Sequence, residues 1–368
     1  MRAGSGVTTA GGVRSGRRRP SALLVLAVAL VALSGCQTDG ADSTSATEPP
    51  VLKPPMAGLV DRHMLPDESL RQTVNGFVVL ADWSELQAEP FGPIVEDNPL
   101  DVAIDEVRRI EAANPGTDLQ IKLRILGGLG APEELKALSG GAVEVANPRD
   151  GVSGTVGRFW TDDYAAAYAD LHAKLAQRFD NVPELRVVTI SQCMTVYAEP
   201  FIRDAGDEAT VDNLLAADFD SDQDRACMRR QVDAHQVWRS TRSGLAFNPY
   251  QVINQDGTVG VDLEFTISMM DYCREVLGER CVLENNSIRW PPFEGRYERM
   301  YESMAALGAP ISLQTAKPAL VGDLAATVEW AVGQGAGAVE LPHTYDRLLT
   351  VEQLEDLDAA LEANASGG

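Results

Sequence analysis

Glu199 stands in the stretch Cys193-Met-Thr-Val-Tyr-Ala-Glu-Pro-Phe-Ile-Arg-Asp204, directly after an apolar run, Leu185-Arg-Val-Val-Thr-Ile190. A carboxyl beside a proline and between Tyr197 and Phe201 resists ionisation, because removal from water penalises its charged form. Such a group can protonate a leaving oxygen near neutral pH. Glu284, Gln314 and Glu340 each stand at or near the end of a later apolar run, and Arg124 sits late in an earlier one. Trp160, Tyr197, Asn248, Tyr250, Asn286 and Trp290 lie at or beyond the ends of such runs. Carboxylates and amides bond hydroxyls, and aromatic faces pack on the apolar faces of sugar rings, so the set suits carbohydrate. Two carboxylates across a cleft hydrolyse glycosidic bonds, and a separation of roughly 6.5–9.5 Å leaves room for the water of an inverting reaction. Glu199 is read as the general acid and Glu284 as the second carboxylate. Arg124, Trp160, Tyr197, Asn248, Tyr250, Asn286, Trp290, Gln314 and Glu340 are read as substrate-binding residues, with Glu340 alternatively a structural acid paired with Arg124 inside the barrel mouth.

The elements that must position these residues repeat along the chain. Eight short β-type runs are expected at 77–83, 120–126, 156–160, 185–190, 244–250, 280–286, 309–314 and 337–341. Between them the period becomes helical. Tyr164, Tyr168, Leu171, Leu175 and Phe179 recur at spacings of three and four, after a cap at Thr161 or Asp162. Residues 99–113, 323–333 and 351–363 read as further helices. On the helix after Trp160, His172 is expected at the surface, whereas His343, after the last run, can reach a cleft. Alternating strands and helices give a mainly parallel sheet, and eight units favour an α/β fold of the (β/α)₈ TIM-barrel type in a single domain. No Gly-x-Gly-x-x-Gly turn follows the first run, which argues against a dinucleotide-binding sheet. In a (β/α)₈ barrel the polar residues at strand C-termini share one face.

The segments Asp82-Trp-Ser-Glu-Leu-Gln87, Lys122-Leu-Arg-Ile-Leu-Gly-Gly-Leu-Gly-Ala-Pro132, the 158–190 stretch and Ala198-Glu-Pro200 occur in an order that resembles the large clan of retaining (β/α)₈ glycoside hydrolases. That clan includes families acting on β-galactosides, β-glucans and β-mannans. The resemblance spans most of residues 70–345. It implies that Glu199 matches the acid/base of an Asn-Glu-Pro turn, that Arg124 matches an arginine near the nucleophile, and that Trp160 matches a subsite aromatic. Two positions depart from the pattern. Ala198 replaces the Asn, and Gln314 stands where the clan has its nucleophilic Glu; an amide cannot form a glycosyl ester. The expected function is a glycosidase-like protein, with a non-catalytic carbohydrate-binding protein as the alternative. No cofactor is implied.

Five arginines and no acid precede an unbroken apolar run, Ala22 to Leu33, in the first 36 residues. The run is too short to span a bilayer and fits a signal peptide. It ends in Leu33-Ser-Gly-Cys36, which resembles the bacterial lipobox. The expectation is a signal peptide over 1–35, lipidation at Cys36, a flexible Ser/Thr/Pro-rich tether over 36–55 and the barrel over 56–364. That places the protein outside the cytoplasm, held to the bacterial cell membrane by lipid. The formal charge of −23 opposes nucleic-acid binding. The remaining cysteines, Cys193, Cys227, Cys273 and Cys281, suit disulfides in an exported chain. Of the three pairings possible, Cys193–Cys227 with Cys273–Cys281 is the most local. No zinc spacing and no Gly-x-Ser-x-Gly elbow occurs, and Asp218 to Asp224 lacks the glycine and glutamate of a calcium loop.

Overall fold

The computed structural model describes residues 51–367; Cys36, the apolar run before it and most of the expected tether lie outside the described residues. Eight parallel strands close a barrel: β1 (Gly58–Asp61), β2 (Val74–Asp82), β3 (Gln120–Leu126), β4 (Leu185–Thr189), β5 (Arg242–Ala246), β6 (Cys281–Ile288), β7 (Ile311–Thr315) and β8 (Ala338–Leu341). Each pairs with the next, and β8 pairs with β1, with Val60 in register with Glu340. The α/β barrel expected from the alternation is the observed fold.

The pleat sorts the side chains. In β3, Ile121, Leu123 and Ile125 enter the apolar shell beneath the helices, while Lys122 and Arg124 reach across the lumen. Met56, Val60, Val78, Val187, Val282 and Ala338 form a separate apolar cluster towards the strand N-termini, where Met56, Val187 and Val282 also line a cavity. One end of the lumen is thereby apolar, and the polar side chains collect towards the other.

Two strand assignments need correction, and they offset each other in the count. The run at 156–160 is not in the barrel. Val152–Val156 instead pairs antiparallel with Val143–Asn147 in a hairpin outside the closed sheet. Its tip, Pro148-Arg-Asp-Gly151, is turn chemistry, with Gly151 at φ 66°. The missing eighth strand is β1, only four residues long and wholly buried. β5 also ends early, because Tyr250–Ile253 joins Val259–Asp262 in a second hairpin.

The helices follow the periodicity. Asp162–Phe179 begins after Thr161, and Pro99–Ala113 is capped by Asn98, whose side chain accepts from Leu100 and Asp101 N–H groups. Disulfides join Cys193 to Cys227 and Cys273 to Cys281. His172 is fully buried rather than at the surface. It lies 4.0 Å from His235, ring to ring, and its Nδ1 accepts from Trp238 Nε1 at 3.1 Å. The helical face that carries it turns towards the helix Ser221–Ala234 as well as the barrel. The chain is already held at Lys53, whose ammonium donates to the carbonyls of Val182 and Leu185 and to Thr241 Oγ1.

Candidate functional site at the strand C-termini

The segment between β4 and the helix Glu208–Ala216 has no regular structure, so side chains must hold it. The Cys193–Cys227 disulfide ties its start to the helix Ser221–Ala234. Arg203, fully buried, donates through Nε and Nη2 to Asp224 at 2.8 and 2.7 Å, and Tyr250 donates to the same carboxylate at 2.7 Å. Thr195 Oγ1 donates to Asp204 at 2.6 Å. The segment also presses on Gly127 and Gly128. A Cβ there would lie 2.3 Å from the Ser191 carbonyl oxygen and 2.2 Å from that of Thr195. Glycine at both positions is what lets the two backbones meet.

Glu199 emerges half-buried from this frame. Asn248 Nδ2 donates to its Oε1 at 3.4 Å, and Tyr297 donates its hydroxyl to Asn248 Oδ1 at 3.2 Å. Burial raises the Glu199 carboxyl above its ordinary range. The Asn248 bond and the charge of Arg124 work against that rise, and Asp204 and Asp150 add to it. The net direction is upward, so the protonated form persists to higher pH than in an exposed glutamate.

Below Glu199 the lumen holds a chain of ion pairs. Lys122 Nζ lies 2.7 Å from Glu284 Oε2 and 2.7 Å from Glu340 Oε1. Arg124 Nη2 donates to both oxygens of Glu340, at 2.7 and 2.8 Å. Burial by itself would raise Glu340; Arg124 and Lys122 overcome it and hold the carboxyl at about 2. Glu284 goes the other way. Burial raises it, Lys122 opposes, and the charge of Glu340 adds to the rise. Its Oε1 has no hydrogen-bond partner among the described residues and lies over Gly244, where a Cβ would be 2.1 Å away.

Several candidate residues are placed differently from expectation. Glu284 is 1% exposed inside the barrel and bound to Lys122, so it does not stand at the mouth as a second carboxylate. Trp160 is buried edge-on against Phe159 and Phe219, with no face free for a sugar. Tyr250 belongs to the core with Arg203 and Asp224. Glu340 is buried beneath Arg124, as the structural-pair reading expects and the substrate-binding reading does not.

Others do lie around the mouth. Gln314 sits at the end of β7 in register with Glu340, and its Nε2 donates to the Asn286 carbonyl at 3.1 Å. Asn286 is half-buried and its Oδ1 lacks a protein partner among the described residues. Trp290, beyond β6, is 44% exposed. Tyr197 donates to Asp150 at 2.7 Å, and Asp150 also pairs with Lys317. The tip of the 143–156 hairpin therefore bridges the loops after β4 and β7.

Three residues at the mouth escape the sequence reading. Arg62 follows β1, whose brevity hid it. Tyr297 lies on the helix Arg296–Leu307, one turn before Tyr301, a pairing that reads as core spacing. Asp150 looks like an ordinary turn residue. Among the described residues no cluster of three or more His, Cys, Asp or Glu could hold a metal ion.

No family model and no curated protein matches the sequence. Solved structures resemble the fold. Endo-glycoceramidase II from Rhodococcus sp., in a complex with a cellobiose-like imidazole, is 16% identical over 83% of this chain and 81% of its own, with a TM-score of 0.48. XacCel5A is 11% identical over 84% of this chain and 99% of its own, TM-score 0.47. The beta-galactosidase from Bacillus circulans sp. alkalophilus is 11% identical over 84% of this chain and 56% of its own, TM-score 0.47. At these identities and scores the likeness assigns no residue a role.

Proposed function

We propose that the chain binds carbohydrate at the strand C-termini and does not hydrolyse it by the two-carboxylate route. One observation carries this reading. The lumen carboxylates nearest the site, Glu340 and Glu284, are both bound by Lys122, and Arg124 also binds Glu340, while the end of β7 presents the amide of Gln314. Hydrolysis needs a second carboxylate free to act as nucleophile or base. Binding needs hydroxyl partners and an aromatic face, which Glu199, Asn248, Asn286, Gln314 and Trp290 supply. A second reading, hydrolysis with Glu199 as acid, is favoured by the raised Glu199 carboxyl. We further propose that Cys36 is lipidated and holds the protein on the outer side of a bacterial cell membrane. The basic start, the apolar run and the lipobox-like Leu-Ser-Gly-Cys support this.

The test combines calorimetric titration of neutral and charged oligosaccharides with turnover assays on aryl glycosides and cell-wall glycans. Wild type and Glu199→Gln should both bind and neither should turn over. Turnover by wild type that Glu199→Gln abolishes would establish the hydrolase instead. Radiolabelled palmitate incorporation, lost in Cys36→Ala, tests the anchor.

A further inference from the structure

Three cations, Lys122, Arg124 and Arg62, gather in the lumen and at its mouth, in a chain whose formal charge is −23. Lys122 and Arg124 already satisfy Glu284 and Glu340. A third cation, Arg62, is added directly after β1. Its Nη1 donates to the Thr315 carbonyl at 2.9 Å, which draws the guanidinium across β8 to the end of β7. Its Nε faces His63 Nε2 at 3.2 Å. Both acceptors are neutral, and no carboxylate forms an ion pair with Arg62 among the described residues. The neighbouring Asp61 accepts through Oδ1 from the backbone N–H groups of His63 and Met64 at 2.8 and 3.1 Å, and attracts Arg62 without forming an ion pair with it.

Arg62 is half-buried; burial and the repulsion of Arg124 disfavour its charge, while Glu340 and Asp61 attract it. His63 and His343, exposed and edge-to-face with centroids 5.6 Å apart, stand beside it. A guanidinium partly out of water, near a second cation and with no carboxylate in direct contact, gains from binding an anion. The fork geometry of Arg suits an oxyanion.

We propose that Arg62, with Arg124 behind it and His63 and His343 at its side, is a subsite for an anionic substituent on the bound sugar: a uronate carboxylate or a sulfate or phosphate ester. The subsite rests on the carbohydrate reading for its ligand and on Arg62 for its charge, and the experiment separates the two. Trigalacturonate, neutral galactotriose and inorganic sulfate are titrated calorimetrically into wild type, Arg62→Gln and His343→Gln at low ionic strength, where screening is weakest. Wild type should bind trigalacturonate about tenfold or more tighter than galactotriose, and Arg62→Gln should abolish the preference while leaving galactotriose binding unchanged. His343→Gln, at an exposed position, should weaken the preference without affecting folding. Arg62-dependent binding of sulfate with no binding of either sugar supports the anion subsite and rejects the carbohydrate reading. Equal affinity for the two sugars, or a preference that survives Arg62→Gln, overturns the subsite. So does the absence of any binding by trigalacturonate and sulfate.

Discussion

Arg124 donates through a single nitrogen, Nη2, to both carboxylate oxygens of Glu340, at 2.7 and 2.8 Å. The same carboxylate also takes Lys122, so one buried anion holds two buried cations in the middle of the barrel. The pair joins β3 to β8 across the lumen.

Glu340→Gln should therefore be among the most damaging single changes. It leaves Arg124 without its anion and Lys122 with only Glu284, a loss of about 3–5 kcal/mol for a broken buried pair. Chemical denaturation at neutral pH measures it. The wild-type protein carries the same contribution in its acid sensitivity. The folded Glu340 carboxyl lies at about 2, below the ordinary 4.5. Its stabilisation is present above 4.5 and is lost as pH falls from there through 2. A protein whose stability does not change over that range contradicts the assignment.

Glu199 has the opposite sign. Its folded carboxyl is raised, so the fold is favoured while the group is protonated, and that advantage is lost as pH rises through the folded value. Glu199→Gln should be more stable than wild type near neutral pH and similar to it near pH 4. Melting temperatures across that interval decide the matter.

Trp160 and Trp290 should separate stability from binding. Trp160→Ala empties a core site, costing about 3–5 kcal/mol. Trp290→Ala changes an exposed residue and should leave the melting temperature within a degree or so, while weakening sugar binding. Equal stability losses in the two variants would contradict their placement.

Gly128→Ala sets a methyl against the Thr195 carbonyl and must move the segment that carries Glu199. Overpacking of this kind costs about 1–3 kcal/mol. The expected result is weaker carbohydrate binding together with faster proteolysis within residues 190–207, and unchanged cleavage of the 143–156 hairpin would show that the effect is local.

The fold was readable because barrel strands are apolar runs set between amphipathic helices, and that pattern is local. β1 was not readable for a physical reason: four residues carry too little period to register, and Gly58 at φ 80° looks like a turn. The Val156–Trp160 run imitated a strand because Phe159 and Trp160 are apolar for another purpose, packing on Phe219. Glu199 was readable from its neighbours in the chain. The Glu340–Arg124 pair was among the readings of the strand ends, but the engagement of Glu284 and Glu340 by Lys122 was not, because Lys122 is bonded across the lumen to residues 162 and 218 positions away, and single-sequence periodicity is blind to such pairs. Arg62 fell out with the strand that positions it.

Lys53 grips the carbonyls of Val182 and Leu185 and the hydroxyl of Thr241, all at the points where β4 and β5 enter the barrel. The clamp thus fastens the start of the described chain to β4 and β5 at the barrel end opposite Glu199, Asn248 and Gln314.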